Sequence, residues 1–308
     1  MLLVFVEEAL LRIRFHGRGG QGAKVASRIM GTAAFLEGYY AQDFPLYGAE
    51  RRGAPIAAFT RISKEPVLER GIIAEPDIVI VMDETLLDDV SANPLSGVSA
   101  GSIVFINTSH SIPEVKERYA TLSNVITLDI TKISLEILGR PVLSSLASAV
   151  AARIAALKKA SLKEAIEKEA SEIITDRTII EKNVEAAEYC FNAIEPVVAG
   201  FKSATALAKG SPVIPVPFEP AIISTPSINA KANTPLRKTG NWRLFRPVWD
   251  YDRCSKCMKC VALCPDGCIS ISDEGYPYAD YDNCKGCMIC ANECPVDAIS
   301  KVREVHEW

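Results

Sequence analysis

Short apolar runs alternate with amphipathic stretches over the first two-thirds of the chain. Residues 10–16 predict a buried strand, and the stretch after it predicts a helix with one apolar face. That face carries Ala23, Ala26, Ile29, Met30, Ala33 and Ala34. Further short apolar runs predict strands at residues 55–59, 77–82, 102–107 and 125–129. Strands that alternate with helices indicate a layered, mostly parallel α/β sheet.

The pattern becomes helical from Pro141 onward. Two or three helices are expected there, one over residues 179–194 and one with Ser161 and Glu164 as a capping box. Seven prolines then fall within residues 206–250 without periodicity, which is typical of an extended linker. We therefore expect three regions, which are an α/β domain (1–205), a linker (206–250) and a small domain (251–308).

Nine of the ten cysteines lie in the small domain. Two runs repeat the spacing C-x2-C-x2-C-x3-C-P of bacterial ferredoxins, in which the fourth cysteine of one run binds the cluster of the other. The first predicted [4Fe–4S] ligand set is Cys254, Cys257, Cys260 and Cys294. The second is Cys264, Cys284, Cys287 and Cys290. Zinc also binds paired C-x2-C units, but it needs four ligands and not a repeated set of four, so the spacing favours clusters.

Two cysteines fall outside this repeat. Cys268 stands where the second run has Ala298, and we predict a buried small side chain there and not a ninth ligand. Cys190 lies on a predicted amphipathic helix, and we expect the same role for it.

Charge and hydropathy limit the partners and the location. The formal net charge is −4, and neither part of the chain shows a clustered basic surface, so we expect no nucleic-acid partner. The N-terminal residues show no basic leader or small-residue cleavage site, which favours a cytoplasmic, reducing location. No uncharged apolar run approaches the roughly 18 residues of a membrane span, so we expect no membrane association.

A glycine turn joins the first predicted strand to its helix. Gly17, Gly19 and Gly22 satisfy the dinucleotide pattern G-x-G-x-x-G, but the acidic residue expected at the end of the second strand is not clearly placed. Nucleotide binding, close helix packing and presentation of the turn's amides to a partner all stay open. The polar loop at residues 47–55 leaves two interpretations as well, a solvated turn with a Glu50–Arg52 ion pair or an intersubunit contact.

Together these motifs resemble the 2-oxoacid:ferredoxin oxidoreductase family. The resemblance is to the γ subunit, followed in the same chain by the δ, ferredoxin-like subunit, and it rests on residues 17–22, residues 47–62 and the two cysteine runs. It implies a Rossmann-like layered α/β γ domain followed by a small two-[4Fe–4S] bacterial ferredoxin-like α+β domain. Family members oxidatively decarboxylate a 2-oxoacid on thiamine diphosphate, usually with coenzyme A as acyl acceptor, and pass electrons through three clusters to ferredoxin.

The resemblance also implies a division of labour between subunits. This chain would supply two of the three clusters as an electron-transfer and scaffold subunit, with external ferredoxin as acceptor. Thiamine diphosphate, Mg and the third cluster are expected on partner α and β subunits, in a dimer of heterotrimers. The amino-acid sequence of the polar loop most resembles the pyruvate-type members, which favours pyruvate over oxalate as the 2-oxoacid. The family's γ region is largely structural, so no catalytic or nucleotide-binding residue is carried over.

Two other functions remain as alternatives. One is a nicotinamide-linked ferredoxin oxidoreductase subunit, which would need a flavin to split the two electrons of a hydride between one-electron clusters. The other is a free-standing ferredoxin-type carrier. The chains and cofactors that copurify with the protein distinguish the three.

Overall fold

The computed structural model describes residues 10–46, 53–89, 92–120, 122–195 and 238–304. The chain forms two compact units, whose described parts are residues 10–195 and 238–304, and each has a core of its own. Most of the polar loop, and the expected linker up to residue 237, lie outside the described residues. No helix in the described ranges is both long enough and apolar enough to span a bilayer.

A six-stranded sheet forms the centre of the first unit. Its strands are β1 (Leu11–Arg18), β2 (Tyr40–Leu46), β3 (Pro55–Ser63), β4 (Ile78–Val81), β5 (Ile103–Ile106) and β6 (Asn124–Thr127). Their spatial order is β2-β3-β1-β4-β5-β6. Strands β1, β4, β5 and β6 run parallel, whereas β3 pairs antiparallel with both β1 and β2. The predicted α/β class is confirmed, with an antiparallel edge added to it.

Helices cover both faces of this sheet. They are α1 (Ala23–Leu36), α2 (Ile112–Arg118), α3 (Ile130–Leu138), α4 (Ser144–Ile154), α5 (Lys159–Ser171) and α6 (Arg177–Ala193). The larger core joins Ile13 and Phe15 of β1 to α1 and α4, and all six apolar residues predicted for α1 are buried in it. A smaller core on the other face packs Val79 and Val104 against α2. The alternating side chains of β4 and β5 thus serve two cores.

The capping box predicted at Ser161 and Glu164 is wrong. Helix α5 begins two residues earlier, at Lys159, so Ser161 lies inside its first turn. The capping box is found at α2 instead, where Glu114 accepts a hydrogen bond of 2.7 Å from the Ser111 amide. The same Ser-x-x-Glu spacing occurs at both helices, but only α2 has a proline in its first turn, which favours the helix start.

The second unit consists of two small sheets and two one-turn helices. Its elements are β7 (Phe245–Trp249), α7 (Lys259–Ala262), β8 (Ile269–Ile271), β9 (Pro277–Ala279), α8 (Ile289–Asn292) and β10 (Ile299–Arg303). Strand β7 pairs antiparallel with β10, and β8 pairs antiparallel with β9. Residues 238–250 therefore belong to this unit, whereas the sequence placed them in the linker. Pro247 made β7 hard to recognise from the sequence, because a proline argues against a strand. It is compatible with β7 because β7 is an edge strand.

Candidate iron–sulfur centres

Each cysteine run bends sharply before its third cysteine. Met258 in the first run and Met288 in the second adopt left-handed backbone conformations, with φ angles of 58° and 63°. The one-turn helices α7 and α8 begin directly after them. A residue in this conformation reverses the direction of the chain over a short distance, so the thiols of one run are turned toward a common point.

The eight predicted ligands line two cavities. Cavity I is lined by the first predicted set, Cys254, Cys257, Cys260 and Cys294. Cavity II is lined by the second set, Cys264, Cys284, Cys287 and Cys290, together with Cys268. Each cavity thus takes three cysteines from one run and the fourth from the other, which is the arrangement that the spacing predicts.

Hydrogen-bond donors point at the sulfur atoms. The Ala298 amide donates to Cys294 Sγ at 3.2 Å. The Lys259 amide donates to the Cys257 sulfur, and this bond holds the pKa of Cys257 below its usual value. Trp249 lines cavity I, and its buried indole N–H faces the Cys260 sulfur as a further hydrogen-bond donor. Thiolates and inorganic sulfides accept such bonds, so the donor set fits an iron–sulfur cluster.

Both cavities have a buried side and a solvent edge. Cys260 and Cys290 are buried, whereas Cys257 and Cys287 are exposed. Burial raises the pKa of Cys290 to about 12, so this thiol keeps its proton unless a metal replaces it. The exposed cysteine of each set marks the solvent edge of its cavity.

The ligand sets favour clusters over single ions. Each cavity is lined by four predicted cysteine ligands, and the set of four is repeated, whereas a zinc site needs only one such set.

Cys268 and Cys190 are both buried, as predicted, but their surroundings differ. Cys268 lines cavity II, and its Sγ lies 3.5 Å from Sγ of Cys264. Sequence reasoning missed this contact, although the mismatch with Ala298 marked the position. Cys190 is fully buried in α6, where burial raises its pKa to about 12 and makes it a packing residue.

The backbone amides of the glycine turn donate hydrogen bonds to carbonyls of the same chain. The Gly19 amide donates to the Ala54 carbonyl at 2.8 Å, and the Gln21 amide donates to the Arg18 carbonyl at 2.9 Å. Gly22 has a φ of +86°, and a Cβ there would lie 2.9 Å from the Cβ of Ser144 at the start of α4. These contacts favour the interpretation in which the turn packs α1 closely.

Arg18 connects this turn to the loop after β4 through an ion pair and a hydrogen bond. Sequence reasoning missed this role. The side chain is 1% exposed, and its guanidinium lies 3.3 Å from Asp83 and donates to Thr85 Oγ1 at 2.5 Å. Desolvation lowers the pKa of Arg18, and the nearby aspartates counter that effect. The signal was present as the alternation of Arg12, Arg14, His16 and Arg18 along one face of β1.

Comparison with known proteins identifies the family. The sequence profile described as pyruvate ferredoxin/flavodoxin oxidoreductase matches residues 12–193. This chain belongs to the pyruvate ferredoxin/flavodoxin oxidoreductase family. A second profile, a 4Fe–4S dicluster domain, matches residues 253–298. The predicted resemblance is confirmed in both halves, and so is the oxidoreductase class.

Relatives in this family are similar over about three-fifths of the chain. The common γ subunit of the pyruvate/ketoisovalerate oxidoreductases of Thermococcus kodakarensis is 45% identical over 187 residues, which is 59% of this chain and 96% of the relative. Pyruvate synthase subunit PorC of Methanothermobacter thermautotrophicus is 41% identical over 191 residues, 60% of this chain and 97% of the relative. The crystal structure of the pyruvate oxidoreductase subunit PORC of Thermotoga maritima aligns with a TM-score of 0.51 and 31% identity, over 60% of this chain and 97% of that one.

Proposed function

We propose that this chain is the electron-transfer and scaffold subunit of a thiamine diphosphate-dependent 2-oxoacid:ferredoxin oxidoreductase. The observation that carries the proposal is the pair of cysteine-lined cavities in a chain whose first unit belongs to the oxidoreductase family. When bound, a [4Fe–4S] cluster supplies one-electron oxidation and reduction at low potential.

Two clusters are assigned to this chain. Cavity I would hold one on Cys254, Cys257, Cys260 and Cys294. Cavity II would hold the other on Cys264, Cys284, Cys287 and Cys290. The crossed ligand sets support this assignment, because the fourth thiol of each run lies in the cavity of the other. The two cavities share one small unit, so electrons can pass between them before they leave for an external ferredoxin.

Pyruvate is the 2-oxoacid we favour over oxalate. The relatives from Thermococcus and Methanothermobacter are named for pyruvate, and the Thermococcus subunit is named for ketoisovalerate as well. Because the name of the Thermococcus relative describes a γ subunit common to pyruvate and ketoisovalerate oxidoreductases, we infer that substrate choice lies on other chains. We therefore assign substrate binding, thiamine diphosphate, Mg and a third cluster to α and β partner subunits, in a dimer of heterotrimers, inside the cytoplasm.

The experiment isolates the native protein under anaerobic conditions and measures copurifying chains, iron, sulfide and thiamine diphosphate. We expect two larger partner chains, thiamine diphosphate in the complex, and more than about eight iron atoms per copy of this chain, since two cubanes account for eight. Pyruvate should then bleach the cluster absorbance, and oxalate should do so more slowly or not at all.

Other outcomes would select the alternatives. A lone chain with about eight iron atoms and no thiamine would overturn the subunit assignment and leave a ferredoxin-type carrier. Bound flavin together with reduction by a nicotinamide would support the nicotinamide-linked enzyme. Faster bleaching by oxalate than by pyruvate would reverse the substrate preference alone.

A further inference from the structure

The second unit, residues 238–304, is the cysteine-rich unit, and its two halves contain equivalent backbone hydrogen bonds. The Asp250 amide donates to the Ala298 carbonyl at 2.8 Å, and the Asp280 amide donates to the Cys268 carbonyl at the same distance. Asp250 is therefore equivalent to Asp280, and Ala298 is equivalent to Cys268. One residue earlier in each half, Trp249 is equivalent to Ala279.

Side-chain donors break this symmetry in opposite ways. In cavity I, the buried Trp249 indole N–H faces the Cys260 sulfur as a hydrogen-bond donor, while the residue equivalent to Cys268 is alanine. In cavity II, the Cys268 thiol lies 3.5 Å from Cys264 Sγ and within hydrogen-bonding reach of Cys284, while the residue equivalent to Trp249 is alanine. Each cavity thus has one side-chain donor that the other lacks.

We propose that Trp249 and Cys268 are positioning residues that tune the reduction potentials of the two cluster sites independently, one residue for each site. The inference rests on the proposed two-cluster function. Reduction adds one electron, and thus one negative charge, to a site whose ligands are thiolates. A hydrogen bond from a fixed donor becomes stronger as its acceptor gains charge, so each donor favours the reduced state and raises the potential of its own site.

The geometry also indicates which donor has the larger effect. Indole N–H is a good donor, and Nε1 faces the Cys260 sulfur, which belongs to a predicted cluster ligand. Cys268 offers a weaker S–H donor, but it is 7% exposed and is shielded from competing water. Neither side chain changes its own protonation or oxidation state in this role.

The test compares variants of the full chain, purified anaerobically with any partner chains that accompany it, by protein-film voltammetry and by iron analysis. Trp249→Phe keeps the ring and removes the donor. We expect it to lower one midpoint potential by about 59 mV, which is a tenfold change in the equilibrium constant of a one-electron reduction. Cys268→Ala should lower the other midpoint potential, with a decrease of about threefold in that site's reduction equilibrium constant. Cys268→Ser keeps a donor and should restore most of that loss.

A reciprocal variant provides the matched control. Ala298→Cys adds a thiol to cavity I at the position equivalent to Cys268, and it should raise the same midpoint that Trp249→Phe lowers. This variant and Cys268→Ser keep the proposal testable if Trp249→Phe does not fold. Since each change should leave the second midpoint of this chain unmoved, that midpoint serves as an internal reference.

The results that overturn the inference differ from those that overturn the proposed function. Unchanged midpoints in Trp249→Phe and Cys268→Ala at full iron content would remove the tuning role. A loss of about four iron atoms in Cys268→Ala would make Cys268 a ligand and not a tuning donor. Wild-type protein without iron and sulfide would instead refute the two-cluster function on which the inference rests.

Discussion

Arg243 and Glu304 form a paired, two-bond contact that joins the start of the described cysteine-rich unit to its end. Arg243 Nε lies 2.7 Å from Glu304 Oε2, and Nη2 lies 3.1 Å from Oε1. The two side chains are only 7% and 9% exposed. Arg243 also donates to the carbonyls of Tyr281 and Cys284, so the same guanidinium supports the chain at a predicted cluster ligand.

Removal of one partner of this pair should destabilise the cysteine-rich unit strongly. Glu304→Ala leaves a buried guanidinium without its carboxylate, and loss of one partner of a buried pair costs about 3–5 kcal/mol. Denaturant unfolding, followed through cluster absorbance, measures the loss. The control is Lys238→Ala, which breaks the exposed pair with Asp282 and should change stability much less. Equal effects of the two variants would contradict this account.

The glycine turn should be intolerant of a side chain because of packing and not only because of backbone conformation. Gly22 and Gly38 have nearly equal φ angles, +86° and +87°, but only at Gly22 would a Cβ contact other atoms, 2.9 Å from Ser144. Gly38→Ala should cost about 1–2 kcal/mol from its backbone conformation alone. Gly22→Ala should cost about 1–3 kcal/mol more, because it overpacks the start of α4.

Thermal and denaturant unfolding of both glycine variants check this expectation. Ser144→Gly, added to Gly22→Ala, should recover part of the extra cost by removing the side chain that clashes. Equal stability of the two single variants would show that the contact with Ser144 does not matter.

His16 should weaken the α/β unit in acid. Burial lowers the pKa of His16 to about 3, with the charge of Arg14 as a smaller cause, whereas an unfolded histidine titrates near 6.5. Between these values the unfolded chain binds a proton that the folded chain does not, so stability falls as the pH falls below about 6.5 and the loss is complete near pH 3. At pH 4.5 the effect is roughly 2–3 kcal/mol.

The measurement is the free energy of unfolding of wild type and His16→Leu at several pH values. Any packing cost of the substitution is constant, so the difference between the two curves isolates the histidine. That difference should shift in favour of the variant as the pH falls from 6.5 toward 3. Parallel curves over this range would show that His16 accepts a proton in the folded state.

The fold was predictable where apolar runs are long or strongly periodic. Strands β1, β3, β4, β5 and β6, and the buried face of α1, follow the patterns that the sequence shows. Strand β2 was not predicted, since it is an edge strand with a half-exposed, mixed pattern that includes Asp43 and Pro45. The capping box was misplaced because the Ser-x-x-Glu spacing alone does not distinguish the start of a helix from its first turn.

The candidate site was predictable from spacing, but its surroundings were not. Regular cysteine spacing indicated the two sets that the structure brings together around cavities I and II. Trp249 and Cys268 reach those cavities only through the pairing of distant strands and loops, which no local pattern encodes. For the same reason, the buried contact of Arg18 with Asp83 could not be read from the glycine pattern.

The crossed ligand sets predict paired losses in cysteine variants. Cys294→Ser and Cys254→Ser lie in different runs but in the same cavity, so each should remove the same cluster signal and about four iron atoms. Cys264→Ser should remove the other signal. Electron paramagnetic resonance of the reduced variants distinguishes the signals, and Cys190→Ser is the control, which should keep both. If Cys294→Ser and Cys264→Ser were to remove the same signal, the crossed arrangement would be wrong.

The most direct test of the central claim, that this chain itself holds two [4Fe–4S] clusters, is the iron and acid-labile sulfide content of the full-length chain produced alone under anaerobic conditions. The account predicts about eight iron atoms and about eight sulfides per chain. About four of each would mean that only one cavity binds a cluster, and zinc without sulfide would contradict the claim altogether.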